Sequence, residues 1–276
     1  MIRKINKKDI DRVLEFLKRE LETVNEDRIK EELKNIDNNR LIYESNSEIY
    51  GFTVAISNKE LKRGKVILYV SETKRRNGIG EQLYLAALGY LERQDINYIT
   101  TEIRTEKNHT GDFFIHRGFN KRYGYHSMMY TGGKVNSDLQ LINYDDNYYE
   151  AYKKVYEDCF FEMRKELGFK PYRDCSSADK LIANKDKIFL LLDSQELIGS
   201  VLLLDNEIDD LIVNEEYQGQ GYGKKLINFG INYCQSRGDK NISLGVIDWN
   251  AKAIALYVNS GFNIISKGEV YHRITK

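Results

Sequence analysis

Two short stretches carry glycines at a spacing that lets a backbone close on a phosphate. Arg75, Arg76, Asn77, Gly78, Ile79 and Gly80 form one. Gln218, Gly219, Gln220, Gly221, Tyr222 and Gly223 form the other, 143 residues later. Each follows an apolar run that predicts a strand, ending in Leu68, Tyr69 and Val70 or in Leu211, Ile212 and Val213. Each leads into an amphipathic stretch that predicts a helix. Without side chains in the way, backbone N–H groups can surround an anion, and the helix N-terminus adds its dipole. Lys224 follows Gly223 and adds a point charge. The competing reading is a tight strand-to-helix turn, which also recruits glycine. It weighs more in the first stretch, which keeps only Gly78 and Gly80.

Two better-known phosphate loops do not fit. A P-loop needs Ser or Thr after its lysine, whereas Lys224 precedes Lys225. A dinucleotide fingerprint needs a third glycine three places on, where Gly219-x-Gly221 meets Lys224 and Gly221-x-Gly223 meets Leu226.

The elements around the loops also recur. A Gly-Phe pair follows each at the same offset, Gly118-Phe119 and Gly261-Phe262. Leu139-Gln-Leu-Ile-Asn echoes Ile2-Arg-Lys-Ile-Asn near the start. Hydrophobic periodicity gives the order β-α-α-β-β-β-α-β-α-β in each half, with Tyr123 to Tyr130 closing the first. The expected class is α/β: two tandem domains, 1–133 and 134–276, each a mixed, mostly antiparallel sheet with helices on both faces. Each half is long enough for a core of its own.

Composition narrows the function. Lys plus Arg and Asp plus Glu both number 42, and no basic or acidic tail stands out, so no nucleic-acid partner is expected. The N-terminal residues lack a signal-peptide core and no apolar run is long enough to span a bilayer. The expectation is a cytoplasmic protein with no membrane partner. Cys159, Cys175 and Cys234 are far apart and form no CxxC, so no metal site is expected.

A strand, a Gln/Arg-x-x-Gly-x-Gly loop, a helix, a strand, then Asn250 and Tyr257 before Gly261-Phe262 resembles the GCN5-related N-acetyltransferase (GNAT) family. The resemblance covers both halves, and the tandem layout resembles mycothiol-synthase-type acetyltransferases. It implies acetyl-CoA as the cofactor. The pyrophosphate of coenzyme A would sit on Gln218 to Lys224, and Leu211, Ile212 and Val213 would lend backbone groups to the pantetheine arm. Residues 68–70 and 75–80 would form a second, degenerate site.

The resemblance also suggests catalytic roles. Amine acetylation needs a base for the ammonium and an acid for the departing thiolate. Tyr257 matches the family's acid; the alternative is a packing tyrosine. Asn250 either contacts the cofactor or caps the following helix. Glu207 matches the position of a carboxylate base in some members. Strand alternation puts Glu207, Asp209, Leu211 and Val213 on one face, so Asp209 is a second candidate and Asp210 points away. A solvated strand end, with water as the base, is the alternative.

At a constant offset of 143, Tyr257 faces Phe114, Glu207 faces Gly64, Asp209 faces Val66 and Asn250 faces Lys107, with Asn108 one place out. The chemistry is therefore expected in the C-terminal half, within a monomer whose halves act as a pseudo-dimer. The acceptor would be a small-molecule or peptide amine, walled by Tyr156, Phe160, Phe161, Arg164, Tyr172, Arg173, Tyr271 and His272; aromatics with two arginines would suit an acceptor with an apolar body and a carboxylate. Two other readings remain open: a non-catalytic acyl-CoA-binding or regulatory protein, and transfer of a longer acyl chain.

Overall fold

Apolar residues at three- and four-residue steps, such as Ile10, Val13, Leu14 and Leu17, make one buried helix face. Alternating residues make half-buried strands. The computed structural model describes residues 1–20, 26–35, 39–105 and 110–275. The chain divides into two units.

The first unit begins with β1 (Ile2–Lys4), α1 (Asp9–Glu20), α2 (Glu26–Lys34), β2 (Asn39–Ser45), β3 (Glu48–Asn58) and β4 (Arg63–Val70). It continues through α3 (Ile79–Arg93), β5 (Tyr98–Arg104) and α4 (Thr110–Ile115) to the start of β6 (Asn120–Tyr130). Its strands run in the order β1-β2-β3-β4-β5, antiparallel except for the parallel β4–β5 pair.

The second unit holds β7 (Ile142–Asn143), α5 (Tyr149–Glu166), α6 (Ala178–Ile182), β8 (Ile188–Asp193), β9 (Glu196–Leu204) and β10 (Glu207–Val213). Then come α7 (Tyr222–Ser236), β11 (Ser243–Ile247), α8 (Ala251–Val258) and β12 (Phe262–Ile274). Its order is β6-β11-β10-β9-β8-β7, with β10–β11 the parallel pair. One core lies between this sheet and α7, around Leu203, Ile208, Leu226, Ile227 and Ile231. Another lies between the sheet and α5, around Tyr152, Val155, Leu190 and Ile212.

The division differs in detail from two consecutive halves. Residues from Tyr123 to Tyr130 belong to the second unit, where Met128 is part of the α7-side core. Residues from Val270 onward belong to the first unit, where Tyr271 packs with Phe114 and Phe119. Alternation predicts that these segments are strands. It carries no information on which sheet completes its edge with them. Among the described residues, no helix is long and apolar enough to cross a membrane.

Candidate active site

The site is organised by an irregularity in β10. Val213 pairs with Gly199 and Ile212 with Ser200, whereas Asp209 pairs with Leu202 and Ile208 with Leu203. Three steps along β10 therefore span two along β9, which is a one-residue β-bulge. Asp210 adopts φ +40°, a left-handed conformation that Asp tolerates better than most side chains. Its N–H donates to Oδ1 of Asp209 at 2.9 Å.

The bulge cancels the alternation. Ile208, Leu211 and Val213 all pack toward the α7-side core, although the first two are an odd step of three positions apart. Ile212 packs toward α5, and Asp210 meets Tyr156 of the same helix. Asp210 lies opposite Leu211 and Val213, as expected. Ile208 joins Leu211 and Val213 on the α7 side, so the expectation that Glu207 and Asp209 share their face is corrected: the extra residue breaks the alternation between Asp209 and Leu211.

The Tyr156 hydroxyl donates to Asp210 Oδ1 at 3.3 Å and Oδ2 at 3.2 Å. Burial pushes the Asp210 carboxyl up to about 6, neighbouring Asp209 adds to the shift, and the Tyr156 hydrogen bond opposes it. Tyr257, on α8, is pushed up to about 12 by burial and by the charges of Asp209 and Asp210. A carboxyl poised near neutrality and a firmly protonated phenol thus act on one another. The Cys159 thiol donates to the Val213 carbonyl at 3.3 Å, and burial holds both it and Cys175 up at about 11. Neither is a ready nucleophile at neutral pH.

Beyond Val213 the chain makes a 3-10 turn and enters the glycine loop. Gln218 Nε2 folds back onto the Val213 carbonyl at 2.9 Å. Gly219 and Gly221 take φ +75° and +86°, and a Cβ built on either would meet no atom within 4 Å. The loop therefore needs glycine for its backbone path and leaves open space above it. Gly221 is the N-cap of α7, whose first-turn N–H groups face outward at the helix end. Lys224 Nζ is held by the Asn259 carbonyl at 2.9 Å and Ser260 Oγ at 3.1 Å, which ties α7 to the end of α8. Among the described residues, β10 pairs with β11 only at Glu207 and Ser243. From Asp209 to Val213 its outer edge has no strand partner there.

The family model for the acetyltransferase (GNAT) family matches residues 149–262, and that for an acetyltransferase (GNAT) domain matches residues 8–126. The chain belongs to the GNAT acetyltransferase family. Over 65 residues it is 35% identical to the thialysine N-epsilon-acetyltransferase of Sus scrofa, covering 24% of this chain and 38% of that one. Over 75 residues it is 37% identical to the [ribosomal protein bS18]-alanine N-acetyltransferase of Haemophilus ducreyi, covering 27% and 52%. The matches thus span about half or less of these curated relatives. The solved GCN5-related N-acetyltransferase from Sphaerobacter thermophilus shares the fold, with a TM-score of 0.73 at 14% identity over 99% of this chain and 95% of that one. A tandem GNAT protein from the clavulanic acid biosynthesis pathway has a TM-score of 0.56 at 12% identity, covering 86% and 82%.

Both GNAT units keep the loop. In the first, Gly78 is a left-handed N-cap at φ +74°, and Arg76 takes φ +61° where the second unit has Gly219. Arg75 Nε reaches the Val70 carbonyl at 3.3 Å, as Gln218 reaches Val213. The charge at the first helical turn is inverted. Glu81 stands at the position of Lys224 and pairs with Arg117, which stands at that of Ser260. Arg117 also lies 3.6 Å from the centre of the Phe113 ring.

The surroundings diverge further. β4 pairs with β3 without a break from Val70 and Gly51 to Arg63 and Asn58, so it has no bulge. Strand register therefore aligns Asp209 with Ile67 and Glu207 with Lys65, one place on from the constant offset. Asp210 has no counterpart. Where the second unit has Tyr156, Cys159 and Phe160, the first has Val13, Phe16 and Leu17, all buried. Phe16 stacks edge-on against Tyr69 at 5.7 Å. Phe114, the counterpart of Tyr257, packs among Tyr84, Phe113 and Phe119. Lys107 and Asn108 lie outside the described residues.

The remaining predicted residues are scattered. Glu207 is exposed, at the end of β10 far from the loop. The Asn250 side chain caps α8, accepting the Ala253 N–H at 3.0 Å. Tyr271 is buried in the first unit, and His272 Nδ1 lies 3.0 Å from Tyr98 Oη there, so neither walls the second unit's cleft. Asp210 and Tyr152 escaped sequence reasoning. The signals were an Asp-Asp pair within a strand and a tyrosine four residues before Tyr156.

Proposed function

We propose that the chain transfers an acetyl group from acetyl-CoA to a primary amine, that the chemistry takes place in the second unit, and that it does so in the cytoplasm. The observation that carries this reading is the Asp210–Tyr156 contact at the bulge, whose charge is felt by Tyr257, on the strand that leads to the glycine loop. The open cradle over Gly219 and Gly221 and the unpartnered edge of β10 fit a pyrophosphate and an amide-bearing arm. Tyr222, Gly223 and Lys224 would offer first-turn N–H groups to the phosphates, and β10 from Leu211 to Val213 would hold the arm.

Acetyl-CoA supplies the activated acyl group. Asp210 takes a proton from the acceptor ammonium, since only the neutral amine is nucleophilic. Its value near 6 leaves it ionised at neutral pH and basic enough to be useful. The amine nitrogen then bonds to the acyl carbon as the carbon–sulfur bond breaks, the Tyr257 hydroxyl protonates the departing sulfur, and the second proton lost from the nitrogen returns through solvent to the Tyr257 phenolate. Asp209 keeps Asp210 in place through the backbone N–H. Direct transfer is supported over a cysteine-bound acyl group, because both nearby thiols are held protonated.

The first unit keeps the loop but offers neither a carboxylate nor a phenol at these positions. We assign it a stabilising or cofactor-holding role without turnover. Coenzyme A release measured with an amine panel tests the proposal. Release that collapses in Asp210→Asn and survives in Gly78→Ala supports it. Tight acetyl-CoA binding without release for any amine would favour a non-catalytic binder.

A further inference from the structure

We infer that the acceptor is a primary alkylamine without a carboxylate, a diamine or polyamine chain rather than an amino acid. This rests on the proposed transfer in the second unit. Along α5, side chains at four-residue steps lie on one face, and Tyr152, Tyr156, Phe160 and Arg164 fall on it. Tyr152 and Tyr156 stack with ring centres 5.9 Å apart, and Tyr156 meets Phe160 at 4.7 Å. Tyr156 ends on Asp210, so the aromatic row runs from the buried carboxylate toward Arg164. Aromatic faces attract an alkylammonium, and the row delivers it to an anionic end.

An amino-acid acceptor needs something more, a cation for its carboxylate. Arg164 and Arg173 are the arginines the sequence offers on this side. Arg164 Nη2 donates to Asp174 at 2.7 Å and its Nε to the Pro171 carbonyl at 3.1 Å. Its side chain is only 19% exposed. Arg173 pairs with Asp158 and lies over the Phe161 ring. Both guanidinium groups are engaged by the protein's own carboxylates and brace the connection after α5. The groups acting on Asp210, Tyr152 and Tyr156 besides one another are Asp209, Cys175, Ser200 and Tyr144, a carboxyl, a thiol, a hydroxyl and a phenol, none of them a cation. A substrate carboxylate at this end meets repulsion, and to reach a cation it must compete with Asp174 for Arg164 or with Asp158 for Arg173, whose side chain is 51% exposed.

Matched pairs test the assignment on the full chain: cadaverine against lysine and putrescine against ornithine, each pair differing by one carboxylate. We expect kcat/KM from coenzyme A release to be about tenfold or more higher for the diamines. Equal or reversed values overturn the inference while leaving the transfer intact. Release with none of the four, although other amines of the panel give release, overturns the acceptor class alone; no release with any amine, although acetyl-CoA binds by calorimetry, overturns the transfer as well. Asp174→Ala, in an exposed position, removes the acceptor for Arg164 Nη2 and should narrow the cadaverine-to-lysine ratio about threefold or more, through the KM for lysine. An unchanged ratio in a folded variant overturns the role given to Arg164.

Discussion

Tyr156 donates to both carboxylate oxygens of Asp210 across 54 residues of sequence, at 3.3 and 3.2 Å. The bond joins α5 to the bulge in β10 and fixes a half-buried carboxylate. It also tunes that carboxylate. Burial and Asp209 push the proton affinity up, and Tyr156 pulls it back.

Replacing Asp210 by Asn should lower kcat about a hundredfold or more, the ordinary worth of a positioned base, while acetyl-CoA affinity changes little. In the unmodified protein kcat/KM should fall as pH drops through about 6, where the carboxylate gains its proton. The stability effect has the opposite sense. A carboxyl whose folded value is raised favours the fold at low pH and loses that contribution as pH rises through about 6. Asp210→Asn should therefore melt higher than the parent at pH 8, and the gain should vanish at pH 4. Thermal melts at both values check this.

Tyr156→Phe removes the one contact that lowers the Asp210 value. The acid limb of the pH–rate profile should move to higher pH. A role confined to packing would leave that limb in place.

Tyr257→Phe should reduce kcat about tenfold or more with little change in the KM for acetyl-CoA, because a proton donor is lost and a ring of the same shape remains. Phe114→Tyr in the first unit should gain nothing, since that ring is enclosed by three other aromatics and has no carboxylate partner. Initial-rate kinetics on both variants separate the two units.

Gly221→Ala and Gly78→Ala place a side chain at φ +86° and +74°, so each should cost about 1–2 kcal/mol of stability. Only the first should raise the KM for acetyl-CoA, because only the second unit's loop is assigned to turnover. Equal KM effects would place catalytic binding in both units.

Asp9 ties β1, α1 and β2 together. It accepts from Arg3 at 2.7 and 2.8 Å and from Arg12 at 2.8 Å, and both arginines also reach Glu44. The Arg3 hydrogen bonds, with help from Arg12, hold its carboxyl down at about 2. A lowered folded value stabilises above the ordinary carboxylate range, and the contribution is lost as pH falls toward about 2. Asp9→Asn should thus be clearly less stable than the parent at pH 7, with the gap closing between pH 4 and pH 2. Denaturant titrations across that window measure it.

The loops, the duplication and the inequality of the halves were legible from sequence, because each depends on local residue types. Glycine at Gly221, as at Gly78, suits a left-handed backbone angle that few other residues adopt, whereas Arg76 takes the angle of Gly219 in the first unit. Tyr257 against Phe114 is a difference of one hydroxyl that alignment exposes directly. The fate of Arg164 and Arg173 was not legible. Their types suggested substrate carboxylates, and folding brings Asp174 and Asp158 to them instead.

The sequence by itself determined where a phosphate loop could form and which half retains proton-transfer groups. Only the tertiary structure decided which carboxylate faces the tyrosines. A strand read by alternation sends Asp209 one way and Asp210 the other. One unpaired residue against β9 breaks that alternation between Asp209 and Leu211, and a bulge arises from the match between two strands rather than from either alone. The same holds for the strand ends near Tyr123 and Val270, whose sheet is set by the core that receives Met128 or Tyr271.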